Sequence, residues 1–157
     1  AMAGKKVTDE SDLALVEALQ ADARQTNRSL AQIADLAPST TLNRVRELEN
    51  SGVITGYHSA VDLGALGRDL QALVFVRLQP KNDETVSRFV DHIWSMPETI
   101  ALHLITGVED VLVHVAVSDT EALQRAVLNR ISNFPGVVDE RTSLVFQHRQ
   151  KAVINPL

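Results

Sequence analysis

Apolar residues recur at helical spacing through the first sixty residues, and the rest of the chain alternates between strand and helix patterns. Leu15, Val16 and Leu19 mark a first helix, with Asp9 placed to cap it and Asp12 in its first turn, where a carboxylate suits the positive helix end. A short second helix is predicted from about Ser29 to Asp35, with Leu30, Ile33 and Ala34 on one face. The break at Leu36-Ala37-Pro38 is brief. Pro38 suits the first turn of a third helix, where its missing N–H goes unneeded. That helix runs to about Asn50 with Thr41, Val45 and Leu48 inward, and Gly52 ends it. Val53–Val61 reads as a two-stranded wing turning at Thr55-Gly56.

After a linker with two glycines, Asp62–Asp69, the pattern changes. Leu70–Leu78 is a strand with Val74, Val76 and Leu78 on one face and Leu73, Phe75 and Arg77 on the other. Asp83–Met96 is an amphipathic helix carrying Val86, Phe89, Val90 and Ile93, stopped by Pro97. Two strands follow, Ile100–Thr106 and Val111–Val117, around a turn at Gly107–Asp110. Ser118 with Glu121 forms a capping box opening a helix to about Asn133, and Val137–Gln147 is the last strand. The order βαββαβ is the ferredoxin-like one, with two helices over one face of a four-stranded antiparallel sheet. The expected class is α+β: a winged helix-turn-helix over 1–61, a linker over 62–69, and a ferredoxin-like domain over 70–157.

Composition narrows the functions. The 157 residues include 15 basic and 20 acidic side chains, a net charge of −5, which excludes a uniformly basic coater of nucleic acid but not a DNA-reading module. With no cysteine, disulfides, thiolate metal sites and cysteine nucleophiles are excluded. Apolar runs such as Leu73–Val76 are far too short for a membrane span. No basic-then-apolar leader is visible, and Ala1-Met2-Ala3 reads as a remnant of expression before a natural start at Met2. The expectation is a soluble cytoplasmic protein.

Three short helices with a tight break before the third satisfy a helix-turn-helix, whose last helix enters the major groove. With Thr41, Val45 and Leu48 inward, Ser39, Thr40, Asn43, Arg46 and Glu47 face out and Arg44 lies on the flank. Arginine and asparagine make bidentate contacts to guanine or adenine edges, and serine and threonine reach phosphates. The candidate DNA-binding residues are therefore Ser39, Thr40, Asn43, Arg44 and Arg46. Residue types alone leave a solvated helix face equally open. Regional charge decides little, since residues 24–58 hold four arginines against Asp35, Glu47 and Glu49.

The chain resembles the Lrp/AsnC, or feast/famine, transcription regulators from Asp9 to about Gln150. The resemblance rests on Asp9-Glu10-Ser11-Asp12, Asp22-Ala23-Arg24 and Leu30-Ala31, and on Pro38-Ser39-Thr40-Thr41 followed by Arg44-Val45-Arg46-Glu47-Leu48-Glu49. It continues through Gly52-Val53-Ile54-Thr55-Gly56-Tyr57, Leu66-Gly67 and the Thr-Gly-x-x-Asp turn at Thr106–Asp110. It implies a DNA-binding regulator with a ligand-sensing αβ domain, dimeric and assembling into octamers. Three features depart from the family pattern. Ala37 replaces the usual capping serine, Val111 the aromatic after the turn, and Ala101-Leu102 the polar or sulfur residues before His103. The last two changes lie near the implied effector site.

The sheet face without helices would carry Leu73, Phe75, Leu112 and Ala116, too apolar to leave in water, and a second copy would cover it. At the turn, amides around Gly107 would hold an α-carboxylate and Asp110 an α-ammonium. Read alone, glycine and aspartate are default turn residues, with Asp110 bonding nearby amides. The resemblance favours the effector reading, with Thr106, Gly107, Glu109 and Asp110 in the site, Thr142 and Ser143 as further candidates, and an amino acid as effector. Glu109 leaves room for a cationic ligand side chain. A tight turn would also set His103 opposite His114, a pair lacking the third ligand that a metal site needs. No cofactor is expected.

An enzyme is disfavoured: there is no glycine-rich phosphate loop, nucleophile elbow or metalloprotease spacing. The alternative is a stand-alone amino-acid sensor without DNA binding.

Overall fold

Asp9 opens the first helix as its sequence position suggests. In the computed structural model, which describes residues 6–157, its carboxylate accepts from the amides of Ser11 at 3.0 Å and Asp12 at 3.1 Å. The Ala1-Met2-Ala3 reading lies outside the described residues. Helix α1 spans Glu10–Ala21. Helix α2, Asn27–Ile33, begins two residues before the expected start because the Thr26 hydroxyl accepts from the Ser29 amide at 3.1 Å. Its buried stripe is Leu30, Ala31 and Ala34; Ile33 falls at the stripe's edge and is about half exposed.

The turn after α2 uses an aspartate where glycine is usual. Asp35 takes the left-handed conformation, φ 51°, while the Leu36 amide reaches back to the Ala31 carbonyl at 2.9 Å. Helix α3 then spans Pro38–Asn50 with Thr41 and Leu48 buried. Ala37 gives its N-terminus no side-chain cap. Ala37→Ser should therefore raise stability by about 1 kcal/mol, read as a higher urea midpoint at unchanged slope. Gly52, φ +74°, ends α3, and Val53 and Ile54 pack back onto Leu15, Leu30 and Leu48. Residues 53–61 carry no strand pairing. With Val53 and Ile54 held in the helical core, too little chain remains for an isolated hairpin, which is marginal in water. The Tyr57 hydroxyl instead donates to Glu49 at 2.8 Å; burial and that carboxylate push the phenol up to about 12, keeping it protonated.

The second unit holds β1 (Leu70–Leu78), α4 (Asp83–Trp94), β2 (Thr99–Leu104), β3 (Val111–Val117), α5 (Thr120–Ala126, extended by a π-helical turn over Val127–Ser132) and β4 (Val137–Leu144). The strands form one antiparallel sheet in the order β2-β3-β1-β4, as βαββαβ requires. Ala72, Val74, Val76 and Leu78 of β1 and Val111, Val113 and Val115 of β3 are fully buried with Phe89 and Ile93 of α4 and Ile131. The cap of α5 is Asp119, one residue past the expected Ser118: its carboxylate accepts from the Ala122 amide at 2.8 Å, and Ser118 hydrogen-bonds to it.

Besides the unpaired wing and the shifted cap, two further expectations change. The β2–β3 register pairs His103 with Leu112 and Ala101 with His114, so the histidines are diagonal neighbours, not opposite. The connecting loop is longer than a tight turn because the Asp110 amide bonds to the Val76 carbonyl of β1 at 2.9 Å. Secondly, Arg149–Leu157, assigned from sequence to the second domain, clusters with residues up to Ala60, whereas Val61–His148 form the sheet unit. The Gln20 side-chain amide makes two bonds to the Ile154 backbone, at 2.9 and 3.1 Å. Among the described residues, no helix is long and apolar enough to cross a membrane.

Candidate functional site

On α3, inward anchoring by Thr41 and Leu48 leaves Ser39, Thr40, Asn43, Arg46 and Glu47 exposed. Ser39, Asn43 and Arg46 follow one another at i, i+4 and i+7, so they form a single polar row along the helix. The start of that row is fixed by Asn27 of α2, whose side-chain amide donates to the Pro38 carbonyl at 2.8 Å. Sequence reasoning missed Asn27, since nothing local marks a bond across the turn.

Arg44 is not part of the row. Its guanidinium turns toward α1, 2.9 Å from Asp9 and 2.8 Å from Asp12, and the hydrogen bond it donates to Asp12 leads in raising its pKa above the ordinary value. With Nη1 bound to two carboxylates, Arg44 orients α3 against α1.

The loop between β2 and β3 gathers charge at the C-terminal end of β1. Asp110 Oδ2 accepts from the Leu78 amide at 2.8 Å, and Oδ1 lies 2.8 Å from Lys81 Nζ. Burial pushes this carboxyl's pKa up, but the Leu78 amide and Lys81 outweigh it, so the net shift is down and Asp110 stays ionised. Glu109 pairs with Arg141 of β4 at 3.2 Å, and that guanidinium also lies over the Phe75 ring, 4.2 Å from its centre. Thr106, Gly107 and Val108 are exposed at the loop tip, with Gly107 at φ +133°, a conformation that favours glycine.

The strand candidates separate. Ser143 pairs with Leu73 on the helix-free face, whereas Thr142 pairs with Val74 and points to the opposite side, its hydroxyl bonded to Glu140. The two side chains therefore do not line one surface. Lys81 and Arg141 were missed. Arg141 was legible in principle, because strand alternation sets it on the same face as Ser143.

A family model described as the Lrp/AsnC ligand binding domain matches residues 71–152, and one described as a winged helix-turn-helix DNA-binding domain matches residues 8–55. The chain belongs to the Lrp/AsnC family of transcriptional regulators. The HTH-type transcriptional regulator AldR of Mycolicibacterium smegmatis is 36% identical over 144 residues, covering 92% of this chain and 84% of its own. The structure of Escherichia coli AsnC matches with a TM-score of 0.85 at 25% identity, covering 96% of this chain and 100% of that one. A Neisseria meningitidis transcriptional regulator solved as an L-Met complex also has a TM-score of 0.85, at 26% identity, covering 92% of this chain and 94% of that one. This Lrp/AsnC protein is thus a regulator and not an enzyme, with a helix-turn-helix unit and a ligand-binding αβ unit.

Proposed function

We propose that this regulator binds duplex DNA through the outward row of α3, and that a free amino acid held at the loop after β2 alters that binding. The observation that carries the proposal is the row Ser39, Asn43 and Arg46, exposed on the second helix of a helix-turn-helix and seated by the Asn27–Pro38 contact. Amino-acid binding is supported by the Neisseria relative, whose solved complex holds L-methionine. At the loop tip, exposed amides around Gly107 suit an α-carboxylate. The α-ammonium would take the place of the Lys81 ammonium on Asp110, an exchange favoured by the exposure of Lys81. Because Glu109 already pairs with Arg141, a neutral ligand side chain fits better than a cationic one. The half-buried Leu73, Phe75 and Leu112 on the helix-free face support pairing with a second copy.

Isothermal titration of the full chain against the twenty amino acids tests the ligand half. At least one should bind, and Asp110→Asn, which keeps an oxygen for the Leu78 amide, should weaken it tenfold or more while remaining folded. Ligand and DNA should change each other's affinity by one common factor. Unchanged binding in the Asn variant would move the site elsewhere.

A further inference from the structure

The outward side of α3 carries one large apolar side chain that the fold does not use. Leu42 is 41% exposed and stands outside the helical core, which Leu15, Leu30, Ala34 and Leu48 form with Val45 packed against them. It lies three residues after Ser39 and four before Arg46, so it borders the polar row on one side as Asn43 does on the other. Among the described residues, Asn43 and Arg46 make no hydrogen bond or ion pair within the protein, whereas Arg44 is tied to α1. An apolar tip, an amide and a guanidinium thus stand side by side on one exposed surface.

Each of these groups has its own counterpart on a base edge in the major groove. A side-chain amide donates to N7 of adenine and accepts from its N6 amino group, a guanidinium donates to O6 and N7 of guanine, and an apolar carbon packs on the C5 methyl of thymine. A phosphate offers nothing to an apolar tip. Glu47, exposed next to Arg46, would repel a phosphate and so places that arginine for a base edge. Asn43 and Arg46 are three residues apart, about 4.5 Å along the helix axis, against about 3.4 Å for one base-pair step. With α3 lying along the groove, the two bases they meet are neighbours or one pair apart.

We propose that Leu42, Asn43 and Arg46 read bases together: Leu42 the methyl group of a thymine, Asn43 an adenine, and Arg46 a guanine within two base pairs of that adenine. The inference rests on α3 being the DNA-binding helix and adds what that helix recognises. It gives the exposure of Leu42 a role, since the side chain is buried only when the groove closes over it.

Base analogues test this in a duplex selected from a random library by the full chain, because each removes one group while base pairing and the protein stay unchanged. Deoxyuridine in place of one thymine, which removes only the methyl, should weaken binding about fourfold, the worth of one buried methyl-sized group. At one guanine, 7-deazaguanine, which lacks N7, should cost roughly tenfold or more, and 7-deazaadenine at one adenine about fivefold. Each sensitivity should vanish in one variant: that to the methyl in Leu42→Ala, to adenine N7 in Asn43→Ala, and to guanine N7 in Arg46→Ala. Analogues that leave wild-type affinity unchanged while Arg46→Ala still weakens binding overturn the inference and leave α3 as a phosphate-binding helix. A sensitivity that persists in its matched variant overturns it as well. If no duplex is selected, or Arg46→Ala binds undiminished, the assignment of α3 to DNA fails and this inference falls with it.

Discussion

Arg46→Ala is expected to weaken binding to a duplex selected from a random library by about 1–3 kcal/mol, a loss of roughly 5- to 150-fold. Arg46 is exposed on the outward row of α3, in line with Ser39 and Asn43. If it reads a base edge, preference at one base pair relaxes. If it binds phosphate, the dependence of affinity on salt falls by about one ion. Arg44→Gln makes the necessary contrast. Because Arg44 is committed to Asp9 and Asp12, its loss should loosen α3 and lower affinity evenly across sequences without changing the salt slope. Undiminished affinity in a folded Arg46→Ala protein would remove this face of α3 from the DNA interface.

Phe89→Ala should cost about 3–5 kcal/mol of stability, the range for emptying a large aromatic from a packed core. Phe89 has no exposed surface and meets Phe134 edge-on, with ring centres 5.3 Å apart. It lies in one cluster with Ile93, Val113 and Ile131, residues of three different elements, which cannot all close on the space it leaves. Urea unfolding should show a lower midpoint for the sheet unit. Trp94→Ala, on the same helix but 67% exposed, should move it by no more than about 0.5 kcal/mol. Equal effects would mean that α4 packs by another face.

These side chains also show where the sequence was informative. Strand alternation in Val111, Val113, Val115 and Val117 and the helical stripe of Phe89 and Ile93 depend on local spacing, so the βαββαβ order was legible. The same holds for the buried face of α3. The β2–β3 register was not, because the loop length is set by Asp110 reaching Val76 and Leu78, residues more than thirty positions away. Arg44 followed the same rule: its place on the wheel was visible, but the two carboxylates that capture it belong to another helix. At the candidate loop, Gly107 and Asp110 stood out as turn chemistry, while Lys81 and Arg141 gain their relevance only from the fold. Partners distant in sequence were the information that local patterns lacked.

The bond between Gln20 and Ile154 has a consequence for how the protein is made. Its two halves are 134 residues apart, so every element between them must be synthesised before it can form. Helices α1 to α3 are made before the sheet, yet the segment Arg149–Leu157 that joins their unit follows every strand of it. A nascent or prematurely terminated chain can thus present a complete helix-turn-helix sequence that still lacks this closing contact.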